Sequence, residues 1–178
     1  MTPEHLGLLE ADPGLESLLK ALGVSIVGGA PRLAGATSPG EAEIAAVGWA
    51  TVDGDRAEQE FGQCFEPAAR DTLLGASTRR SRGQRPETVL LEPDTEGRLA
   101  GALARHGEGP IALYVNVPDP AGEATHVNPG QSVRAGTGPF GHEWLVLGPE
   151  PSGPFLILVG ELVGAPACLQ TDAVPSDP

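Results

Sequence analysis

The residues of this chain best suited to acid–base chemistry are adjacent, His142 and Glu143, and they directly precede Trp144. Both side chains can exchange a proton near neutral pH when their surroundings adjust the pKa. Because neighbouring residues of a β-strand point to opposite faces of a sheet, only one of the two can enter a common site. We therefore expect a single acid or base here, with His142 in the catalytic role and its neighbour at the surface.

Two other polar side chains interrupt strongly apolar segments. Glu161 lies within residues 156–163, and Tyr114 lies within residues 111–117. A carboxyl group buried alone has a strongly raised pKa, so Glu161 is exposed at an edge, paired, or functional. In a reaction, we expect His142 or Glu161 to transfer a proton, while Tyr114 or Arg79 steadies negative charge on an oxygen atom.

The sequence gives little support for metal or thiol chemistry. Cys64 and Cys168 are the two cysteines, too few for a disulfide framework or a thiolate zinc site, and we interpret both as packing residues. A metal site made of His126, His142 and a carboxylate stays open, but the spacing of these residues is not diagnostic.

Hydrophobic periodicity predicts a mixture of helices and strands that suits an α+β fold with helices on one side of a sheet. Predicted helices cover residues 15–22, 56–65 and 98–104. Predicted strands cover residues 24–27, 44–52, 73–80, 88–91, 111–117, 144–147 and 155–162. The last two strands are predicted to form a hairpin-like pair. Residues 123–141 are predicted to be loop, with a short strand at 132–135.

Composition and charge narrow the class of protein. The 178 residues include 25 Gly and 18 Pro without the Gly-X-Y period of collagen. Lys and Arg number 11 and Asp and Glu number 24, and the net charge of −13 disfavours nucleic acid as a partner. No apolar stretch approaches the ~20 residues that span a bilayer, and the first residues resemble no targeting segment. We expect a cytoplasmic protein without a membrane partner.

Three segments carry a resemblance to a known family. Residues 47–57 are similar to the opening strand and helix of a βαβββ module, and residues 153–159 to its closing strand. More specific are Leu-Leu-Glu-Pro at 90–93 and Gly-Glu-Gly at 107–109, which resemble a strand end and a helix end of methylmalonyl-CoA epimerases. Over residues 44–163 the chain thus resembles the vicinal oxygen chelate superfamily of glyoxalases, methylmalonyl-CoA epimerases, ring-cleaving dioxygenases and bleomycin-type resistance proteins.

The resemblance implies paired βαβββ modules that form a curled, cup-like mixed sheet with helices outside. The family places a helix after the strand at 111–117, where this sequence is rich in Pro and Gly. We expect the helix and strand at 12–33 to fill that place, by permutation or by exchange between chains, or else to pack outside the cup. The implied organisation is a tail at 1–11, one domain at 12–165 with modules at 44–109 and 110–163, and a tail at 166–178.

Metal-dependent members of the family take one ligand from each of four strands. The resemblance places these positions near Val47, Val89, Ala112 and Ile157, none of which is His, Glu or Gln. Their immediate neighbours offer no ligand either, so a one-residue error of register does not restore a metal site. The expectation is a metal-independent protein that needs no cofactor.

Alternation along the strands predicts the side chains that line the cup. The lining is mainly apolar with a few polar groups, as in pockets for small organic molecules. The predicted ligand-binding residues are Trp49, Thr51, Arg79, Leu91, Ala112, Asn116, Trp144, Phe155 and Ile157.

Three functions follow from the resemblance. We favour a metal-independent enzyme of isomerase, cyclase or lyase type that binds a small organic molecule in the cup and uses the acid–base residues above. The alternative is a non-catalytic drug-binding protein in which Trp49, Tyr114 and Trp144 clamp the ligand. A second alternative is a metal-dependent epimerase or glyoxalase-like enzyme with displaced ligands. We also expect a homodimer, as is frequent in the family.

Overall fold

The computed structural model describes residues 13–27, 30–33, 42–83, 85–94, 96–127, 133–146 and 153–160. Its helices are α1 (Pro13–Ala21), α2 (Gly54–Phe61), α3 (Arg98–His106) and α4 (Pro120–Val127). Its strands are β1 (Val24–Val27), β2 (Ala30–Leu33), β3 (Glu43–Ala50), β4 (Ala69–Asp71), β5 (Ala76–Arg80), β6 (Glu87–Pro93), β7 (Gly109–Asn116), β8 (Val133–Gly138), β9 (Gly141–Val146) and β10 (Phe155–Val159).

Two segments of the chain repeat one βαβββ arrangement, β3–α2–β4–β5–β6 and β7–α4–β8–β9–β10. The order in the eight-stranded sheet is β4-β5-β6-β3-β7-β10-β9-β8, so each module contributes four adjacent strands. The two modules meet where β3 pairs with β7 in antiparallel fashion. Within each module the first and last strands pair in parallel, as β3 with β6 and β7 with β10. The expected α+β fold with a curled mixed sheet is confirmed.

The second module has its own helix, α4, in the segment that we predicted to be a turn and a loop. Asp119 begins it, because its carboxylate accepts a hydrogen bond from the Gly122 N–H at 3.0 Å and its carbonyl accepts one from the Glu123 N–H at 2.9 Å. Pro120 takes the first helical position, where a missing N–H costs little. Helix α4 occupies the place that residues 12–33 were expected to fill, so that expectation is wrong; helix α1 packs against β7.

The sheet curls until its edge strands β4 and β8 approach each other. The Thr72 N–H donates to the Thr137 carbonyl at 2.9 Å, and the Thr137 N–H donates to the Thr72 hydroxyl at 3.0 Å. These bonds nearly close the sheet around an interior. The inner face carries an apolar cluster that includes Val89, Leu91, Ala112, Leu145, Phe155, Ile157 and Val159.

The outer face of the second module is covered by helices. Leu15 and Leu18 of α1 and Ala124 of α4 pack in one cluster with strand residues such as Leu113 and Leu158. Each large aliphatic side chain buried in this way contributes roughly 1.5–3 kcal/mol to the hydrophobic stabilisation. Strands β1 and β2 form a separate two-stranded sheet beside α1. Among the described helices, none has the length and apolar character needed to cross a membrane.

The outer side of the first module is organised by α2. The Asp53 side chain caps this helix by accepting a hydrogen bond from the Arg56 N–H at 3.0 Å. Gly62 ends it in the left-handed conformation at φ 61°, which favours glycine. The helix thus stops before residue 65, where the sequence pattern had extended it.

Candidate active site

Strand β9 turns one member of the His142–Glu143 pair into the interior, and that member is Glu143. Glu143 pairs with Val159 of β10, a residue of the inner cluster, and is fully buried. His142 is exposed on the other face, where its ring lies 4.4 Å from the ring of Trp144. The alternation is as expected, but the expectation that His142 enters the interior is wrong.

The carboxyl group of Glu143 is held at one oxygen and free at the other. Oε1 accepts a hydrogen bond from the Phe140 N–H at 2.8 Å, whereas Oε2 is buried and has no partner among the residues that the structure describes. The group lies against Gly138, where any Cβ atom would overlap it. Burial raises the pKa of Glu143 to about 8; the Phe140 N–H opposes this rise, nearby Asp71 adds to it, and Arg80 lowers it. Glu143 is therefore predominantly protonated at neutral pH.

Tyr114 on β7 is a second buried group with unused hydrogen-bonding capacity. Its side chain is completely buried, and its hydroxyl has no hydrogen-bond partner in the described part of the chain. The ring lies 5.2 Å from the ring of Phe140. Burial raises the pKa of Tyr114, and the negative charges of Glu143 and Asp71 raise it further. The hydroxyl therefore stays neutral and can donate a hydrogen bond to a ligand.

Two more buried oxygen atoms lack a partner among the described residues. Asp71, at the end of β4, uses Oδ1 to accept hydrogen bonds from the Leu73 N–H at 2.7 Å and the Leu74 N–H at 3.0 Å, but its Oδ2 is unpaired. Oδ1 of Asn116 on β7 is unpaired as well. Burial raises the pKa of Asp71. We call Asp71 Oδ2, Tyr114 Oη, Asn116 Oδ1 and Glu143 Oε2 the interior oxygens.

Arg80 and Phe140 lie beside these groups. The guanidinium of Arg80 lies 4.4 Å from the centre of the Phe140 ring, donates to the Pro139 carbonyl at 3.2 Å and forms an ion pair with Glu87 at 2.5 Å. Phe140 in turn contacts Tyr114 and holds Glu143 through its backbone. Through these contacts the tip of the β8–β9 hairpin packs against inward-facing residues of β5 and β7.

The structure brings half of the sequence-predicted site residues together on the inner face. Alternation and strand pairing place there Tyr114, Leu91, Ala112, Asn116, Phe155 and Ile157. Four others lie on the outer face, namely His142, Trp49, Arg79 and Trp144. Glu161 lies outside the described residues.

The outer-face residues already have structural partners. The ring of Trp49 packs edge-on against Phe61 of α2 at 5.3 Å. Arg79 forms ion pairs with Asp55 at 2.6 Å and Glu58 at 2.9 Å, both on α2. The expectation that Trp49 and Arg79 face the cup is therefore wrong, since α2 covers that face.

Thr51 follows the last residue of β3 and is also engaged. Its hydroxyl donates to the Glu108 carboxylate at 2.8 Å, which ties the end of β3 to the start of β7. Thr51 is buried by this contact, so the structure gives it a role in joining the two modules.

Sequence reasoning missed the acidic residues that the fold collects inside. The predicted site residues His142 and Arg79 are the outward-facing neighbours of Glu143 and Arg80. No sequence pattern indicated that Asp71 is buried, because it lies in a three-residue strand that the hydrophobic pattern did not predict. For Arg80 a signal existed: it pairs with Val89, which was expected to face inward, so the pairing of β5 with β6 would have selected it.

The four positions that the resemblance assigns to metal ligands do not fit a metal in this chain. Val89, Ala112 and Ile157 lie in the inner apolar cluster, Val47 packs against the outer cluster, and none of the four has a donor atom in its side chain. A Cβ atom on Gly48 would come within 2.8 Å of Ala112 Cβ, so the inner face is closely packed around Gly48. In the part of the chain that the structure describes, no group of three or more His, Cys, Asp or Glu residues is arranged to hold a metal ion.

Comparison with solved structures identifies the architecture. A hypothetical protein from Bacillus halodurans superposes with a TM-score of 0.57 at 14% identity over 71% of this chain and 99% of the other. Methylmalonyl-CoA epimerase from Mycobacterium tuberculosis gives a TM-score of 0.54 at 20% identity over 71% of this chain and 89% of the enzyme. A methylmalonyl-CoA epimerase in complex with methylmalonyl-CoA and NH4+ gives 0.54 at 20% identity, over 68% and 95%.

At the level of sequence the comparisons are negative. No family model matches the chain, and no curated protein matches it significantly. The likeness to solved structures concerns the backbone arrangement, because the identities are about 20% or lower. The paired modules, the curled sheet and these neighbours together show that the chain has the vicinal oxygen chelate fold.

Proposed function

We propose that this protein is an acid–base enzyme that binds a small organic molecule inside the curled sheet, with Glu143 as the group that transfers a proton. The observation that supports this most is the set of interior oxygens. Buried polar atoms are nearly always hydrogen-bonded, and each one left unpaired costs about 1–3 kcal/mol. Four such atoms on one inner face are hydrogen-bonding groups that a polar ligand could use.

The carboxyl group of Glu143 has the features of a general acid. Its pKa of about 8 leaves it protonated at neutral pH. A group whose pKa lies near the working pH transfers protons efficiently in both directions. Oε1 is fixed by the Phe140 N–H, so the free Oε2 is the atom that would donate the proton to the ligand.

Tyr114 and Arg80 would assist this transfer in different ways. The neutral hydroxyl of Tyr114 can donate a hydrogen bond to an oxygen atom on which negative charge develops. Arg80 lowers the pKa of Glu143, so its positive charge favours the ionised form that remains after the proton has left. A base must also remove a proton from the ligand, and we assign this step to the free Oδ2 of Asp71, whose Oδ1 accepts two backbone hydrogen bonds. Proton removal by Asp71 and proton donation by Glu143 together make up an isomerisation, a cyclisation or an elimination.

Proton transfer would take place away from the positions that the resemblance assigns to metal ligands. Three of these, Val89, Ala112 and Ile157, line the inner face with hydrocarbon, and a Cβ atom on Gly48 would meet Ala112. The polar groups lie on the same face but at Tyr114, Asn116 and Glu143. We accordingly propose that side chains transfer the proton without a metal or cofactor, and we expect activity to persist in the presence of a chelator.

The test measures exchange of carbon-bound hydrogen in deuterated water by proton NMR. The probes are methylmalonyl-CoA, the ligand in the structure of one neighbour, cyclohexanone and aminoacetone. We expect catalysed exchange with at least one probe, and a loss of roughly a hundredfold or more in Glu143→Gln. Because the protonated carboxyl is the active form, the exchange rate should fall as pH rises through about 8.

Glu58→Gln is the matched control, since Glu58 lies on α2 and pairs with Arg79 on the outer face. It should exchange at the wild-type rate. Unchanged exchange in Glu143→Gln, or no exchange with any probe, would contradict the proposal. Binding of a probe without exchange would instead favour a protein that only sequesters its ligand.

A further inference from the structure

The two edges of the sheet are joined by hydrogen bonds between Thr72, directly after β4, and Thr137 of β8, and we call this junction the seam. The Thr72 N–H donates to the Thr137 carbonyl at 2.9 Å, and the Thr72 hydroxyl bonds to the N–H and the carbonyl of Thr137 at 3.0 and 3.1 Å. The other junction of the modules is the β3–β7 pair, which runs from Glu43 opposite Asn116 to Ala50 opposite Gly109. The seam is therefore the weaker of the two junctions.

Two glycines of β8 allow the edges to lie this close. Gly136 and Gly138 stand on either side of Thr137. A Cβ atom on Gly136 would come within 2.8 Å of atoms of Leu73 and Thr72, and one on Gly138 would overlap the Glu143 carboxyl group. Any larger residue at these positions would push the edges or the carboxyl group away, so β8 is fitted to a closed seam.

Two buried carboxyl groups lie directly behind the seam. Asp71 precedes Thr72 in the chain, and Glu143 pairs with Gly136 and places its carboxyl group against Gly138. Both acidic residues are fully buried, whereas Thr72 and Thr137 are exposed. A single layer of backbone thus separates the two carboxyl groups from water, and separation of the edges would let water reach both.

The charged and titratable groups around these carboxyl groups leave a negative charge there poorly compensated. Arg80 faces Glu143 but is already paired with Glu87 at 2.5 Å, and Arg98 donates to the Leu73 carbonyl at 3.4 Å. Burial of a carboxylate without a free counter-charge is costly, and burial raises the pKa of both carboxyl groups. The complete set comprises Asp71, Asp94, Arg80, Glu87, Tyr114, Arg98, Arg134 and Glu143.

We propose that the seam is the entrance to the interior and that loss of the Glu143 proton opens it, so that Thr72 and Thr137 separate and water reaches the carboxylate. This inference rests on the proposed function for the use of the opening, because the same separation would admit a ligand to Glu143. The closed form holds the proton more tightly than the open form does. Ionisation therefore shifts the equilibrium toward the open form.

Thiol labelling measures the opening without any substrate. Thr78→Cys, made together with Cys64→Ser and Cys168→Ser, places one thiol on the inner face next to β4, since Thr78 is buried and its hydroxyl donates to the Ala69 carbonyl at 3.2 Å. The rate of reaction with methyl methanethiosulfonate, divided by the rate in concentrated urea at the same pH, gives the open fraction. We expect this fraction to rise between about pH 5 and pH 8 by up to about tenfold per pH unit, and not to rise in Glu143→Gln.

A second buried thiol distinguishes opening of the seam from global unfolding. Ala124→Cys, in the same cysteine-free background, lies in the outer cluster, which a separated seam leaves covered. It should react at least about tenfold more slowly than Thr78→Cys at pH 8.

A variant of the seam itself supplies an independent test. Gly136→Ala forces Leu73 and Thr72 away from β8, so it should raise labelling at position 78 by roughly tenfold at pH 5. Ala135→Ser, at the exposed neighbouring position, is the matched control and should not change labelling.

Amide hydrogen exchange examines the seam in the unsubstituted protein. Protection of the Thr72 N–H should fall over the same pH range. Protection of the Thr51 N–H, which donates to the Leu91 carbonyl at 2.9 Å away from the seam, should be retained.

Labelling at position 78 that is independent of pH, that rises equally in Glu143→Gln, or that matches labelling at position 124 would overturn the inference. So would equal loss of protection at Thr72 and Thr51. Failure of the two proposals can be told apart. Labelling that depends on pH and on Glu143, without exchange of carbon-bound hydrogen in any probe, leaves the seam standing and refutes the enzyme. Glu143-dependent exchange of carbon-bound hydrogen, with labelling that does not vary with pH, does the reverse.

Discussion

Two glutamates show how differently this fold treats the inside and the outside of its sheet. Glu108, just before β7, accepts hydrogen bonds from the Thr51 hydroxyl and the Val52 N–H at 2.8 Å and from Arg56 at 2.5 and 2.6 Å. Glu143, fully buried, accepts one bond and has a free oxygen. Water can solvate the carboxylate of Glu108 but not the carboxyl group of Glu143. The group that depends more on hydrogen bonds from the protein therefore accepts fewer of them.

The pKa values follow this difference. Arg56, then the Val52 N–H and the Thr51 hydroxyl, lower the pKa of Glu108 to about 2, whereas burial raises that of Glu143 to about 8. The outer carboxylate joins the modules and stabilises the fold. The inner carboxyl group destabilises the ionised folded state, and strongly shifted pKa values of this kind cluster at functional sites. The difference is the physical basis for proposing Glu143, and not Glu108, as the group that transfers a proton.

The largest expected effect concerns the stability of Glu143→Gln as a function of pH. In the wild type, the raised pKa contributes stability that is fully present below about 4.5 and is lost as pH rises through about 8. Gln cannot ionise, so the free energy of unfolding of the variant should lack this decline, and the variant should be the more stable protein at alkaline pH. Urea denaturation at a series of pH values measures the effect; parallel curves for both proteins would show that Glu143 is not buried in the acid form.

A second test concerns the close packing around Gly48 on the inner face of β3. In Gly48→Val the new side chain would meet Ala112 and Leu91, because a Cβ atom alone comes within 2.8 and 2.9 Å of their atoms. Overpacking of this kind costs about 1–3 kcal/mol, which thermal and urea unfolding would detect. The matched rescue is Gly48→Ala combined with Ala112→Gly, which moves one methyl group across the β3–β7 pair and should recover stability relative to Gly48→Ala. An unaffected Gly48→Val would mean that the inner face has room for a ligand there.

These tests also show what the sequence could and could not predict. The two modules follow from local patterns such as the Leu-Leu-Glu-Pro strand end and the Asp53 cap, which act within a few residues. Strand alternation separated His142 from Glu143 and Arg79 from Arg80. Alternation alone could not say which of each pair points inward. For Arg80 the pairing of β5 with β6 gives the answer, and for Glu143 it depends on the edges of the sheet meeting across residues 72 and 137.

The helix α4 was missed for a related reason. Pro118, Pro120 and Gly122 lower the helix propensity of the segment, and a local reading favours a turn. The helix forms because Asp119 caps it and Ala124 is buried against the outer face of the sheet. Tertiary packing thus overrides propensity, and a single sequence does not show that packing.

A smaller effect is expected at Tyr114. Tyr114→Phe removes a buried hydroxyl that has no partner, so the variant should be as stable as the wild type or more stable by about 1 kcal/mol. Most substitutions of a buried tyrosine destabilise a protein. An increase in stability here would support the contrast between polar groups without hydrogen-bond partners inside the sheet and hydrogen-bonded ones such as Glu108 outside it. Thermal unfolding measures it, with Tyr114→Leu as a control that removes the ring and should destabilise. A clear loss of stability in Tyr114→Phe would mean that the hydroxyl has a partner in the protein.

The smallest effect is expected outside, at Glu108. Its lowered pKa contributes stability that is present above about 4.5 and is lost as pH falls through about 2, the reverse of Glu143. Glu108→Gln should therefore lower the melting temperature slightly at neutral pH, because solvent weakens an ion pair at the surface, and the difference should vanish in acid. Glu96→Gln, an exposed glutamate before α3, controls for the change in net charge. If Glu108→Gln lost more stability than Gly48→Val, the junction between the modules rather than the packed interior would dominate folding.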